Sequence, residues 1–388
     1  MSRLESPVPI APAAHAVSER VSVVIPAWNA AAYIGAALAS VRAQTHRVHE
    51  VIVVNDGCPA DEAARLHAVV ARFAPLARCL DAPHGGPGAA RNAGIEAATG
   101  DFVALLDADD QWEPGFVAHQ LAQFAAQPTL GLVYCDMVIF GDTAFGGRRV
   151  MEWSGSSGRV TFESLATRRC VVLLSTVVAR REALRSAGLF PAAFHCEDLD
   201  LWLRMALRGT EMAYTHAPLA RRREHAAAAS ADGARLRDGR VRVLQPYLLD
   251  ERLTAAQRAA VAIGLGQMGV ESGADAFKQH LRQGRLSEAS EALADLLSVR
   301  PSLKLRSVQR ALRALPGLAA LALRVAMRAR RRSSGERAVG PAPVERLVRD
   351  HSRLGGGARP ADLPEQLGVP PILPPPSPPA PRAHPHGR

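Results

Sequence analysis

Short β-branched runs alternate with helix-period stretches along the first 140 residues. Val21-Ser-Val-Val-Ile25 closes on Pro26, a pattern that predicts a buried strand followed by a loop. The alanine-rich stretch from Ala30 to Ala43 carries apolar residues at helical spacing and predicts a helix. Glu50-Val-Ile-Val-Val54 predicts a second buried strand, ended by the turn signal Asn55-Asp56-Gly57. A helix is expected over residues 61–73, a short strand over 77–80 and a helix over 88–98. Phe102-Val-Ala-Leu-Leu106 predicts a strand that runs straight into Asp107-Ala108-Asp109-Asp110. A helix over residues 114–126 follows, with Pro114 near its start where proline is tolerated, and then a strand over 130–140. Strands alternating with helices imply an α/β fold with a mainly parallel central sheet and ligand chemistry at the carboxyl ends of the strands. Asn55-Asp56 and the Asp107–Asp110 cluster both fall at such ends.

Past Arg221 the texture changes. Residues 235–333 are helical in pattern, including a helix over 281–297 that resembles half of a helical hairpin and ends before Pro301. Residues 305–332 combine Leu, Val and Ala with many arginines, ending in Arg328-Ala-Arg-Arg-Arg332. From Pro341 onward the chain is proline-rich and weakly apolar, which predicts a disordered or polyproline-like tail. The division expected from pattern is a flexible amino-terminal stretch over 1–19, an α/β domain over 20–230, a helical, arginine-rich region over 231–335 and a disordered tail over 336–388.

Composition refines this picture. A chain of 388 residues has room for two domains, and at 48% hydrophobic but 5% aromatic its core must rest on Ala, Val and Leu. The 47 basic against 37 acidic residues give a net charge of +10, which favours anionic partners. The five cysteines include no Cys-x-x-Cys pair, which argues against a zinc site or a disulfide framework and suits a reducing cytoplasm. Residues 1–20 lack a signal-peptide core, and no run of about 18 or more apolar residues exists, so a cytoplasmic protein without a membrane-spanning helix is expected.

Three motifs carry candidate chemistry. Asp107, Asp109 and Asp110 place three carboxylates within four residues, and these repel one another unless a cation neutralises them. Hard oxygen ligands at that density suit Mg²⁺ or Mn²⁺, while a solvated acidic turn capping the next helix is an even alternative. Glu197-Asp198-Leu-Asp200-Leu-Trp202 starts a helix, where acids serve as ordinary caps but also as rigidly placed general bases. Gly85-Gly86-Pro87-Gly88-Ala-Ala-Arg91-Asn92-Ala-Gly94 is a glycine-rich entry to a helix whose backbone N–H groups suit phosphate, with Arg91 as a fixed cation. The loop Pro26-Ala27-Trp28-Asn29 is not a dinucleotide fingerprint, which disfavours a nicotinamide dehydrogenase.

Taken in order, these pieces are more specific than any one of them. Val23-Val-Ile-Pro26-Ala27-Trp28-Asn29, Val53-Val-Asn-Asp56-Gly57, Ala90-Arg91-Asn92-Ala-Gly94, Leu106-Asp107-Ala108-Asp109-Asp110-Gln-Trp112 and Glu197-Asp198-Leu-Asp200-Leu-Trp202 resemble the family 2 glycosyltransferases over residues 20 to about 230. The resemblance implies the GT-A fold, a nucleotide-binding α/β half joined to an acceptor-binding half. It also implies transfer of a sugar from a nucleotide diphosphate sugar to a hydroxyl acceptor, with inversion, in glycan or cell-surface polysaccharide biosynthesis. Uracil is the base it favours, with guanine and thymine open. By the same resemblance Pro26, Ala27, Trp28 and Asn29 form the loop around the nucleotide and Asp56 bonds the base. Arg91 lies against the base or diphosphate, Asp107 with Ala108 stands near the ribose, and Asp109 holds Mg²⁺ or Mn²⁺. Asp198 is the catalytic base, with Glu197 beside it, and His225, after Arg221-Arg-Arg223, is a further metal or phosphate ligand or else a surface residue. Trp28 stands where the family commonly has tyrosine and Cys58 where it has serine.

A sugar-1-phosphate nucleotidyltransferase shares the metal chemistry but needs a glycine-rich Arg and Lys loop after the first strand, which Pro26–Asn29 does not supply. A non-catalytic sugar-nucleotide-binding or scaffold protein is the other alternative, disfavoured by intact Asp109 and Asp198. The acceptor, whether glycan, lipid-linked or protein, is not readable. The stretch 305–332 suits either a helix lying on an anionic membrane surface or a soluble helix with solvated arginines. It lacks interleaved aromatics and any nucleic-acid-binding module, so no nucleic-acid partner is expected.

Overall fold

The computed structural model describes residues 19–143, 145–191, 196–225, 232–299 and 302–333. The expected flexible stretch before residue 19 and the proline-rich tail therefore lie outside the described residues. The first 140 residues build β1 (Val21–Ala27), α1 (Ile34–Arg42), β2 (Glu50–Asp56), α2 (Ala60–Ala71), β3 (Ala77–Ala82), α3 (Gly86–Ala97), β4 (Phe102–Leu105), β5 (Gln111–Trp112), α4 (Phe116–Ala126) and β6 (Leu130–Gly141). Then come α5 (Phe162–Ala166), β7 (Val178–Arg180), α6 (Arg181–Ser186), α7 (Glu197–Leu207) and β8 (Glu211–Glu224). The eight strands form one sheet in the order β3-β2-β1-β4-β7-β6-β8-β5. Neighbours pair in parallel from β3 to β4 and again between β6 and β8, whereas β7 and β5 run against their neighbours. The α/β reading with a mainly parallel sheet holds.

Alternation within the strands explains how the sheet is sandwiched. Val23 and Ile25 of β1, with Val51 and Val53 of β2, belong to one buried cluster together with Ile34, Leu38, Leu66 and Phe116 from α1, α2 and α4. Val24, Ile52 and Val54, the residues between them, belong to the other, with Ala90, Ile95, Leu201 and Trp202 from α3 and α7. Successive side chains of a strand point to opposite faces, so a continuous apolar run is what a strand covered on both faces requires. Gly94 shows how close α3 comes: a Cβ there would stand 2.4 Å from Cγ1 of Val24. In-register parallel pairing, with Val23 opposite both Val51 and Ala104, brings the carboxyl ends of β1, β2 and β4 to one rim.

The second buried cluster continues past residue 230. It takes in Val243 and Leu244 of α8 (Gly233–Leu244) and Val261 and Leu265 of α9 (Ala255–Gln283). The chain divides into two compact units, one holding the described residues up to Met268 together with 322–333, the other holding residues 269–321. The second unit contains the end of α9, α10 (Leu286–Val299), α11 (Leu303–Ala314) and the start of α12 (Pro316–Ser333). The single helix expected over 281–297 is two. Gly284 takes a left-handed φ of 76°, its N–H donates to the Leu281 carbonyl, and the Arg285 N–H donates to the His280 carbonyl. Those two bonds close off α9 as a Schellman motif, for which glycine is the preferred residue, and α10 starts afresh. Among the described residues no helix is long and apolar enough to cross a membrane.

Candidate active site

The loop after β1 is held from the neighbouring strand. Asn29 adopts φ 50°, a conformation asparagine tolerates, and its N–H donates to Cys58 Sγ at 3.4 Å. The Cys58 thiol in turn donates to the Ala27 carbonyl at 3.6 Å, and the Cys58 N–H to Asn55 Oδ1 at 3.0 Å. Cys58 thus ties the β1 loop to the β2 turn. Gly57 takes φ 68° with the His84 backbone close against it, which makes glycine necessary there. Trp28 is 44% exposed and lies 4.1 Å from the His84 ring, centroid to centroid.

Asp56 is buried, and its carboxylate accepts from the Gly85 N–H at 2.8 Å and the Gly86 N–H at 3.0 Å. His84 Nδ1 lies 3.1 Å from the same carboxylate. The glycine-rich entry to α3 was expected to offer its N–H groups to phosphate. Two of them are instead engaged by Asp56, because a carboxylate at a helix amino end neutralises those donors as an external anion would.

Arg91 joins the motifs. It is 4% exposed on α3, yet its terminal nitrogens reach Asp107 Oδ1 at 2.7 Å and Glu197 Oε1 at 2.8 Å. Its guanidinium also sits 5.6 Å over the Phe190 ring. Asn92, the next residue, exchanges two hydrogen bonds with the Phe190 backbone, at 2.8 and 2.9 Å. One turn of α3 therefore docks the end of β4 and the start of α7 together. The two carboxylates hold the Arg91 charge in place against the cost of burial.

At the end of β4 the three aspartates face different partners. Asp109 Oδ2 is 3.0 Å from His225 Nε2, and His225 stacks on Tyr33 with centroids 5.1 Å apart. Asp110 is buried and accepts the Arg223 N–H at 2.9 Å; burial first, then Asp107 and Asp109, push its carboxyl well above the usual range. The Asp107 N–H donates to Ser175 Oγ at 3.1 Å, and Trp112 Nε1 donates to the Ser175 carbonyl at 2.7 Å.

Asp198 occupies the first turn of α7 and accepts the Leu199 N–H at 2.8 Å on Oδ1. Burial and the adjacent Glu197 push its carboxyl up to about 6, opposed by that N–H and by Arg91 and Arg240. Cys196, just before it, is the helix cap and takes φ 68°, a left-handed backbone that a non-glycine residue adopts at some cost.

The expected residues thus gather at one rim: Pro26 to Asn29, Asp56, Arg91, Asp107 to Asp109, Glu197, Asp198 and His225. An open groove of about 800 Å³, bordered by Pro59, Arg65 and Arg72, shares only Asn29 with them. Tyr33, His84 and Arg240 carry no signal in the sequence, and Ser175, Phe190 and Arg223, though part of the family match, have no site role assigned there. Their contacts join residues far apart along the chain, and no local spacing signals such pairs.

A donor set of one carboxylate oxygen and one imidazole nitrogen, partly exposed and 3.0 Å apart, fits a hexacoordinate divalent ion, whose neighbouring ligand atoms stand about 3 Å apart.

A parallel-rich sheet with helices on both faces and acidic residues at its carboxyl rim is the arrangement of the GT-A class. In keeping with that, the chain resembles the mannosyltransferase PcManGT from Pyrobaculum calidifontis, solved in complex with GDP-Man and Mn²⁺, with a TM-score of 0.55 and 19% identity over 78% of this chain and 80% of that one. It also resembles TarS of S. aureus, residues 1–349, solved in complex with UDP-GlcNAc, with a TM-score of 0.52 and 19% identity over 76% of this chain and 87% of that one. At such identity the likeness shows the fold alone. Residues 22–186 match the model of glycosyl transferase family 2. The amylovoran biosynthesis glycosyltransferase AmsB of Erwinia amylovora is 30% identical over 208 residues, 51% of this chain and 68% of that protein. The chain belongs to the family 2 glycosyltransferases. It spans between 17% and 44% of the length of the first three curated relatives it matches.

Proposed function

We propose that the protein transfers a sugar, with inversion, from a nucleotide diphosphate sugar to a hydroxyl acceptor in glycan or polysaccharide biosynthesis. The observation that carries this is the Arg91 bridge, which holds Asp107 and Glu197 on one guanidinium and so joins the β4 aspartates to the α7 acids. Asp198 is the general base. Its carboxyl titrates at about 6, so it is ionised at neutral pH yet basic enough to accept a proton as the acceptor oxygen attacks the anomeric carbon. The bond from that carbon to the diphosphate oxygen breaks as the new one forms, and a single displacement inverts the centre. Asp109 and His225 would hold Mn²⁺ or Mg²⁺, which supplies charge stabilisation to the departing nucleoside diphosphate. Trp28 and His84 offer a ring surface beside Asp56 for the base. Arg91, with both terminal nitrogens engaged, acts by fixing the two acids rather than by gripping phosphate. PcManGT and TarS bind guanosine and uridine donors respectively, so uridine is tested first and guanosine next.

The test is thermal stabilisation and donor hydrolysis with a panel of UDP- and GDP-sugars, with and without Mn²⁺. We expect a metal-dependent response to one donor, lost in Asp109→Ala. A folded protein that responds to no nucleotide sugar in Mn²⁺ or Mg²⁺ would sink the assignment in favour of a non-catalytic protein.

A further inference from the structure

The proposed transfer makes no use of residues 302–333. Within the second unit, residues 302–321 hold four basic residues (Lys304, Arg306, Arg310 and Arg313) and no acidic one. A solvated helix of a soluble protein ordinarily interleaves both signs, so this imbalance calls for an anionic partner. On α11 the residues Leu303, Arg306, Arg310 and Arg313 are exposed and fall at intervals of three, four and three, which puts them on one face. The opposite side of the same helix buries Leu312.

Apolar exposure continues along α12. Leu315, just before it, and Leu318 and Leu321 within it follow at intervals of three, again one face, and are 60%, 67% and 56% exposed. Ala320, on the far side, is fully buried, so the helix turns its small residue inward and its large ones out. Scattered exposed leucines need no explanation, but an ordered stripe of three does.

We propose that α11 and the first turns of α12, up to Leu321 within the second unit, form a docking surface for an anionic membrane. The stripe would enter the boundary between headgroups and acyl chains, and the arginines would meet lipid phosphates, the arrangement of an in-plane amphipathic helix. Charge complementarity selects the occupant. A protein partner would need a matching acidic apolar groove, whereas a lipid surface supplies both features at once. The absence of aromatic residues from 302–333 leaves nothing to stack on bases, which sets nucleic acid aside. The proposal does not depend on the sugar-transfer reading, because it can be measured without any donor.

The experiment is co-sedimentation of the full chain with vesicles of phosphatidylcholine alone or mixed with phosphatidylglycerol, at low and high salt. We expect binding to the anionic vesicles only, weakened by salt. The triple variant Leu315→Ser, Leu318→Ser, Leu321→Ser changes exposed positions, so it keeps the wild-type circular dichroism and melting temperature and loses about tenfold or more in vesicle affinity. Arg306→Glu with Arg310→Glu and Arg313→Glu abolishes the preference for anionic lipid. Wild-type protein that stays in the supernatant would overturn the proposal, as would a triple-serine variant that binds like the parent. Loss of a dimer in the triple-serine variant, with no vesicle binding by the parent, would overturn it too, assigning the stripe to a second copy of the chain.

Discussion

Arg91 and Asp198 are the residues on which the site is most sensitive. Arg91→Ala leaves Glu197 beside Asp198 in a largely buried place with Arg240 as the remaining counter-charge, and we expect a loss on the order of 3 kcal/mol in urea unfolding, discounted from a fully buried pair because Asp107 is partly exposed. Arg91→Lys should recover only part of it, since an ammonium cannot offer two planar donors to two acids. For Asp198 the folded carboxyl titrates above its ordinary value of 3.8. A group raised in this way stabilises the fold at low pH and loses that contribution as pH climbs from about 4 through about 6. Transfer activity runs the other way, rising over the window around pH 6 as the base ionises. Asp198→Asn is therefore expected to lower turnover by about 10²–10⁴-fold while melting no lower than the parent at pH 7, and a variant that retained activity with an unchanged pH profile would remove Asp198 as the base.

At the scale of elements, the strands and helices buried on both sides were legible in the sequence, and those made by long-range pairing were not. β1, β2 and β4 announce themselves as continuous apolar runs because each is covered on both faces. β8 does not: Glu-Met-Ala-Tyr-Thr-His-Ala-Pro-Leu-Ala-Arg-Arg-Arg-Glu has few β-branched residues, contains Pro218 and is only partly buried. Its strand character comes from pairing along β6, and with it come the Arg223 N–H on Asp110 and the neighbouring His225 on Asp109. β7, three residues long, was invisible for the same reason. The acids of the site could be named from motif order, whereas the Asp56 contact with Gly85 and Gly86 needs the folded loop. Gly94 tests the packing of α3 on β1. An alanine there gains helix propensity of about 1 kcal/mol but drives its Cβ into Val24, so Gly94→Ala should lower stability by a net 1–3 kcal/mol or so in chemical denaturation.

For the molecule as a whole, the first compact unit extends beyond the stretch that carries the motifs. A chain cut after residue 230 would lose Val243, Leu244, Leu253, Ala260, Val261 and Leu265 from the second buried cluster. At roughly 1.5–3 kcal/mol for each larger side chain, their sum approaches the 5–15 kcal/mol or so that holds an ordinary domain together. Such a fragment should lack a cooperative transition in calorimetry. A sharp transition like that of the full chain would show residues 20–230 to be self-sufficient.

The shared guanidinium also has a mechanical consequence. A planar, rigid group spans Asp107 at the end of β4 and Glu197 at the start of α7, and it cannot lengthen. The distance between those two points is set like that between two pins on one plate. While both ion pairs hold, the rim of the sheet and the head of α7 travel as one piece. A hinge between them would first have to part Arg91 from one of its two acids.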